Sequence, residues 1–359
     1  MDAGHLAAGQ STDVAPANGT VLVTGGSGYL ARWCIRGLLD RGCTVRATVR
    51  SLSAEAGLHS LFPAAGGSAR LRVFVADLLR DDGWQEAVDG CDYVLHTASP
   101  FPPGKPQHLD DLIIPARDGT LRVLRISLGA GARRVVVTSS TAAVRKVGDP
   151  TSPRPLTEED WADPGNRRMG PYGRSKTIAE RSAWNYAANI GATDRLTVVN
   201  PSTIIGPLLG PQRSYSLQTI ERLLDGGLPA LPWLGFALVD VRDVADLHIL
   251  AMNAPAAAGQ RLLGAGPFLW LADIAAILRE ELGAQASKVP TRRAPDALVR
   301  VLSIVNSSVR PALAELGQRS DYSTDKARTL LGWTPRPVRE SVLDCARSIL
   351  DQRQAEDDD

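Results

Sequence analysis

The stretch Val21-Leu22-Val23-Thr24-Gly25-Gly26-Ser27-Gly28-Tyr29-Leu30-Ala31 constrains this chain more than any other. Three apolar residues suited to a buried strand run into glycines, and beyond them Leu30, Cys34, Gly37 and Leu38 recur at helical spacing. The order is strand, tight turn, helix. Gly25 and Gly28 lack a Cβ, so the turn can take backbone angles closed to other residues and can approach a ligand closely. The N–H groups that open the helix then face that ligand, and with the helix dipole they favour a pyrophosphate. The residues placed to meet it are Thr24, Gly25, Ser27, Gly28, Tyr29 and Leu30. A strand-to-helix turn with no ligand also fits the glycines, so the rest of the chain must decide.

From Thr20 onward, β-rich runs at Val21–Thr24, Thr44–Val49, Leu71–Val75, Tyr93–His96, Arg134–Thr138 and Leu196–Val199 alternate with helical segments. Short apolar strands between helices predict an α/β fold, a doubly wound parallel sheet of Rossmann type covered on both faces. Ligands of such sheets sit at the carboxyl ends of the strands. Gly25, Arg50, Asp77, Thr97 and Ser140 lie at or just past those ends, which would gather them on one edge. Residues 1–19, rich in Ala, Gly, Ser and Asp, read as a disordered lead-in, and residues 20–206 as the dinucleotide-binding domain. Residues 207–350 form mainly a smaller, mostly helical substrate lobe, from which about 237–265 return to the first domain; 351–359 are an acidic tail. Helical spacing marks parts of Val239–Met252 and Leu269–Leu282, then Thr291–Leu316, Asp325–Leu331 and Val338–Leu350.

Forty Lys and Arg against 39 Asp and Glu leave no basic excess for a nucleic-acid or anionic membrane surface. Apolar runs fall short of a bilayer span, and no charged segment followed by an apolar one opens the chain. A cytoplasmic protein is expected. Cys34, Cys43, Cys91 and Cys345 are scattered as reduced core thiols would be, and the five histidines are equally dispersed, so no structural metal is expected.

Arg50 ends the second strand in Arg46-Ala47-Thr48-Val49-Arg50-Ser51. An acidic residue at this place in a dinucleotide-binding unit holds the ribose diol of NAD, whereas an arginine accommodates a 2′-phosphate. Arg50, with hydroxyls at Ser51 and Ser53, therefore selects NADP; the alternative is an ordinary surface arginine. Asp77, next to Leu78 after the third strand, can accept from the adenine amino group or cap a helix. Tyr172-Gly173-Arg174-Ser175-Lys176 opens a helical run, and residues four apart share a helix face, so the Lys176 ammonium can lie beside the Tyr172 phenol. A nearby cation would lower the tyrosine pKa towards neutrality and fit it for proton transfer at a carbonyl. Alone, such a pair is common by chance. Here it follows the glycine turn and Ser139-Ser140-Thr141, whose hydroxyls end the fifth strand and can polarise a reacting oxygen.

The glycine motif, Asp77-Leu78, Thr97-Ala98-Ser99, Thr138-Ser139-Ser140, Tyr172-Gly173-Arg174-Ser175-Lys176 and Asn200-Pro201 occur in an order that resembles the extended short-chain dehydrogenase/reductase superfamily from Thr20 to Leu350. Ala47-Thr48-Val49-Arg50, Val239-Asp240-Val241-Arg242-Asp243-Val244-Ala245 and Leu331-Gly332-Trp333-Thr334-Pro335 look like its dihydroflavonol 4-reductase, cinnamoyl-CoA reductase and aldehyde reductase branch. The resemblance implies Tyr172 as proton donor, Lys176 as its activator and a ribose anchor, and Ser140 as the hydroxyl that orients the carbonyl. It places Thr97, Ala98 and Ser99 along the nicotinamide ribose, and Pro201 and Ser202 on the nicotinamide side. It implies NADP(H)-dependent, reversible reduction of a small aldehyde or ketone by a monomer or homodimer. Ala31 stands where many relatives have glycine. Ala142-Ala143-Val144-Arg145 lacks the asparagine of plant flavonoid reductases, which brings Ser140-Thr141-Ala142-Ala143-Val144 closer to microbial aldehyde and ketone reductases. An NAD-retaining nucleotide-sugar epimerase or dehydratase shares the serine and the Tyr–Lys pair but wants an acidic residue at Arg50. A non-catalytic dinucleotide-binding protein would typically have lost the tyrosine or the lysine.

Overall fold

Runs of β-branched residues with little polar interruption can be buried on both faces, and in the computed structural model they form one parallel sheet. The structure describes residues 19–63, 68–99, 108–146, 154–211, 214–305, 313 and 315–358. In chain order, β1 (Thr20–Thr24), α1 (Tyr29–Asp40), β2 (Thr44–Val49), α2 (Glu55–Ser60), β3 (Leu71–Val75), α3 (Trp84–Val88), β4 (Tyr93–His96), α4 (Asp110–Gly129), β5 (Arg134–Thr138), α5 (Pro171–Asn189) and β6 (Leu196–Pro201) make up the first half. Then come β7 (Thr203–Ile205), α6 (Gln218–Leu224), β8 (Gly235–Asp240), α7 (Val241–Asn253), β9 (Arg261–Gly264), β10 (Phe268–Trp270), α8 (Leu271–Leu282) and α9 (Asp296–Val305). Last are α10 (Asp325–Leu331) and α11 (Val338–Asp358).

The main sheet has the order β3-β2-β1-β4-β5-β6-β9 among the described residues, with every neighbouring pair parallel. One core lies under α1 and α7, which pack together, and a second under α3, α4 and α5. The winding reverses between β1 and β4, where their carboxyl ends open a crevice of the kind that takes ligands in such sheets. The expected doubly wound sheet is therefore present, and all six anticipated strands form, β6 running on to Pro201.

The C-terminal part differs from its reading. A second, three-stranded sheet, β10-β8-β7, adds strands where helix or loop is expected. Val239 and Asp240 belong to β8, and α7 begins at Val241 because the Asp240 carboxylate caps it, accepting from the Arg242 N–H at 2.8 Å. β10 takes Leu269 and Trp270 from the front of the α8 segment. Helix α11 continues past Leu350 to Asp358, docked by Gln352 Nε2 on the Gly210 carbonyl (2.6 Å) and by Arg353 on Asp225 (2.7 Å). Within Thr291–Leu316 the described helix is α9, and residues 306–312 and 314 lie outside the described residues, as does the 1–18 portion of the lead-in. All four cysteines are buried and free of disulfides. Among the described residues no helix is long and apolar enough to cross a membrane.

Candidate active site

The glycine turn has the geometry its composition requires. Gly25 has φ +69°, and a Cβ there would stand 3.0 Å from the Ala98 Cβ; one on Gly28 would stand 2.9 Å from the Gly25 carbonyl oxygen. The Gly25 N–H donates to Thr48 Oγ1 (3.0 Å) and the Gly26 N–H to the Thr48 carbonyl (2.7 Å), so β2 fixes the turn. Helix α1 opens at Gly28 with no side-chain cap, which leaves its first N–H groups for an external anion. Ser27 lies in the turn.

Two residues expected at the ligand face inward instead. The Tyr29 hydroxyl donates to the Gly206 carbonyl (2.7 Å) and the residue is 8 % exposed, so it offers a ligand only its backbone. Thr24 is fully buried. Its Oγ1 accepts from the Ala98 N–H (3.0 Å) and lies 2.8 Å from His96 Nδ1, while Thr97 Oγ1 donates to the Thr24 carbonyl (2.6 Å). The Thr24 hydroxyl can donate to Nδ1 or accept from it according to the imidazole tautomer, and His96 is neutral. Burial, and the nearby Lys176 charge, push the His96 pKa down to about 3. Thr24 thus clasps β1 to β4 and sets the position of Thr97, Ala98 and Ser99.

Arg50 lies exposed at the end of β2 without a hydrogen-bond or ion-pair partner among the described residues. Beside it Ser51 Oγ accepts from the Ser53 N–H (3.3 Å) and the two hydroxyls are 3.0 Å apart. Asp77 Oδ1 accepts from the Leu79 N–H (2.9 Å), which makes it a turn cap with a second oxygen still able to accept from a ligand. Leu78 packs on Gly119, where a Cβ would come within 3.0 Å of it.

Helix α5 starts with Pro171 in its first turn and carries Tyr172, Lys176 and Glu180 on successive turns of one face. Ser140 Oγ accepts from the Ala142 N–H (3.1 Å), and its hydroxyl lies near enough to the Tyr172 phenol to favour the phenolate. Tyr172 is 44 % exposed. Desolvation raises its pKa, with the Ser140 bond opposing, and solvent in the cleft moderates the rise. The lowering expected from Lys176 does not occur in this arrangement. Lys176 Nζ donates to the Thr138 carbonyl (3.3 Å), and burial brings its own pKa down to about 8 against an opposing pull from Glu180. Ser99, Thr138, Ser139, Lys176 and Glu180 line one small cavity. On the far side, the Ser202 N–H donates to the Gly264 carbonyl (3.0 Å), while Ser202 Oγ and Asn200 Oδ1 are buried without partners among the described residues.

Sequence reasoning misses what lies beneath. Glu180, Asn200, Arg261 and His248 are all buried around these residues, and His248 Nε2 meets Thr138 Oγ1 at 2.8 Å. The spacing Tyr172, Lys176, Glu180 is the signal that could have found the first of them.

A turn that a Cβ would obstruct, an uncapped helix start, an unpartnered Arg50 and the orphaned Ser202 hydroxyl on one sheet edge fit a dinucleotide bearing a 2′-phosphate. Comparison with known proteins agrees. A cinnamoyl-CoA reductase of Medicago truncatula is 40% identical over 247 residues, 68% of this chain and 75% of the relative. Tetraketide alpha-pyrone reductase 1 of Arabidopsis thaliana is 32% identical over 343 residues, 94% and 97% of the two chains. The crystal structure of yeast methylglyoxal/isovaleraldehyde reductase Gre2 complexed with NADPH superposes with a TM-score of 0.77 at 25% identity, covering 93% of this chain and 99% of that one. Residues 21–263 match the NAD dependent epimerase/dehydratase family. The chain belongs to that family, within the extended short-chain dehydrogenase/reductases, and is an oxidoreductase of their reductase branch.

Proposed function

We propose that the protein uses NADPH to reduce a small aldehyde or ketone to the alcohol, reversibly, with Tyr172 as the proton donor. The observation that carries this reading is the placing of the Ser140 hydroxyl beside the Tyr172 phenol, one helical turn from Lys176, on the edge that also presents the glycine turn and Arg50. Arg50 would hold the 2′-phosphate, the first turn of α1 the pyrophosphate, and Thr97, Ala98, Ser99, Pro201 and Ser202 the nicotinamide end. When bound, the cofactor supplies a hydride to the carbonyl carbon. The residues of this chain supply the rest. Ser140 donates to the carbonyl oxygen and fixes it beside the phenol; Tyr172, whose raised pKa keeps it protonated at neutral pH, gives that oxygen its proton. Lys176, with a pKa of about 8, carries charge at neutral pH and offsets the phenolate left behind.

The substrate wall falls to the segment 207–233. Trp233 is 49 % exposed and lies 5.4 Å from Trp270, whose edge meets Phe268 at 4.8 Å. A strap carrying Glu315 to Tyr322 joins this wall to the serine loop: the Gly317 N–H donates to the Trp233 carbonyl (2.8 Å), and Arg145 pairs with Glu315. An apolar, aromatic wall beside a site with a few hydroxyls would suit a small carbonyl compound. Tyr172→Phe tests the reading: NADPH should bind as in wild type while NADPH oxidation across a panel of aldehydes and ketones nearly vanishes. Wild-type turnover by that variant would overturn it.

A further inference from the structure

Four donors converge on Glu180, which is 1 % exposed and lies one turn beyond Lys176 on α5. Ser139 Oγ reaches it at 2.6 Å, Asn200 Nδ2 at 2.7 Å, Arg261 Nε at 2.6 Å and Trp184 Nε1 at 3.4 Å. They come from the end of β5, from β6, from β9 and from α5 itself. Arg261 is clamped in turn, by the carbonyls of Glu158 (2.5 Å) and Asp160 (3.0 Å) and by Trp161, whose ring lies 3.6 Å beneath the guanidinium. Asn200 Nδ2 also donates to the Ser140 carbonyl (3.1 Å). One carboxylate therefore ties Ser139 directly, and Ser140 through Asn200, to the sheet and to the helix that carries Tyr172 and Lys176. A buried ion pair is a poor device for stability alone, because desolvation consumes most of its attraction. Its place under three reacting side chains gives it another use.

We propose that Glu180 is a positioning residue for the reaction: anchored by Arg261, it fixes the Ser140 loop through Ser139 and Asn200 and keeps a negative charge one helical turn from Lys176. This rests on the chemistry assigned above to Ser140, Tyr172 and Lys176. The groups packed around Lys176 are Tyr172 and Glu180 on α5, the Thr138 carbonyl on β5, His96 on β4, Ala116 and Thr120 on α4, and His248 on α7, which reaches Thr138. Burial keeps both histidines neutral, with pKa values of about 3 and about 4. Near pH 8 the charge that supports the Lys176 ammonium is that of Glu180. Its loss sends the ammonium lower still, so the enzyme loses its protonated lysine at a less alkaline pH.

The experiment compares wild type with Glu180→Gln in NADPH oxidation driven by an aldehyde that the wild type accepts, methylglyoxal being the first probe, from pH 6 to 10. A unit charge roughly 6 Å away, taken between bulk-water and surface dielectrics, moves the alkaline limb down by about 0.5 to 2 pH units. The expected result is that shift, a kcat reduced about tenfold or more, and a smaller change in KM and in NADPH affinity. Glu180→Asp should recover part of both. Glu180→Gln/Arg261→Met removes both charges together, so neither is left buried alone, and should show the same kcat loss. Folded Glu180→Gln with kcat within about twofold and an alkaline limb within about 0.2 pH unit of wild type overturns the proposal. Failure of both variants to fold also overturns it, since the cluster is then structural. An active Tyr172→Phe would sink the underlying reading instead; an inactive Tyr172→Phe beside an unaltered Glu180→Gln sinks this proposal alone.

Discussion

Lys176 is 9 % exposed and donates to the Thr138 carbonyl at 3.3 Å, so replacing it by methionine measures what holding a charge at that place costs the fold. Burial lowers the folded-state pKa to about 8 from an ordinary 10.5. That gap corresponds to about 3 kcal/mol of instability, from which roughly 1 kcal/mol is subtracted for the hydrogen bond that methionine forfeits. Lys176→Met should therefore be about 2 kcal/mol more stable than wild type at pH 7 and should have lost its turnover. The pH dependence follows in sign. Below about pH 8 folded and unfolded chains both hold the proton and the penalty is complete. Between about 8 and 10.5 the unfolded chain keeps a proton that the folded one has released, so wild-type stability climbs relative to the variant, and by the top of that window the gap has closed. Urea unfolding followed by the fluorescence of the seven tryptophans, at intervals from pH 7 to 10, reads this directly. A variant less stable than wild type at pH 7, or a gap that stays constant with pH, refutes the reasoning.

Arg50→Asp removes a cation that has no partner of its own among the described residues and sets a carboxylate against the 2′-phosphate, so NADPH affinity should fall by about tenfold or more while NADH gains relative to it. Unchanged selectivity in a fluorescence titration with the two cofactors would remove Arg50 from the site. Thr24→Val keeps the shape of a fully buried residue but strands the Ala98 N–H and His96 Nδ1, which should cost about 2 to 4 kcal/mol in urea unfolding. A loss under about 0.5 kcal/mol would show that the clasp relaxes without strain.

The six strands that were legible share one property: each is a short run dominated by apolar or β-branched residues between turn-forming ones, a pattern that suits parallel burial. The strand ends then located Gly25, Arg50, Thr97 and Ser140 without any knowledge of side-chain contacts. β7 and β10 are three residues each, too short to show a period, and β8 runs without a break into a helix of the same apolar texture, so its boundary is set by the capping carboxylate of Asp240. Pairwise logic also failed at Tyr172. Two residues on one helix face predicted an acidic phenol, whereas desolvation raises the phenol pKa and the Lys176 ammonium is turned to the Thr138 carbonyl. The Glu180–Arg261 pair was invisible because its members are 81 residues apart: the helical spacing from Tyr172 and Lys176 points to Glu180, but nothing local points from it to Arg261.

That separation also sets an order of events during synthesis. Glu180 is made with the helix that bears the tyrosine and the lysine, but the strand that supplies its guanidinium emerges 81 residues later. At about 5 to 20 residues per second, the nascent chain waits roughly 4 to 16 seconds with five and then six strands of the sheet made and a carboxylate destined for its interior still without its cation. β9 is the edge that closes the sheet, so the same residue that completes the architecture completes the charge balance beneath the reacting groups. A ribosome-bound chain that stops short of Arg261 has every residue of the serine, tyrosine and lysine set but not the cation that pairs with the carboxylate beneath them.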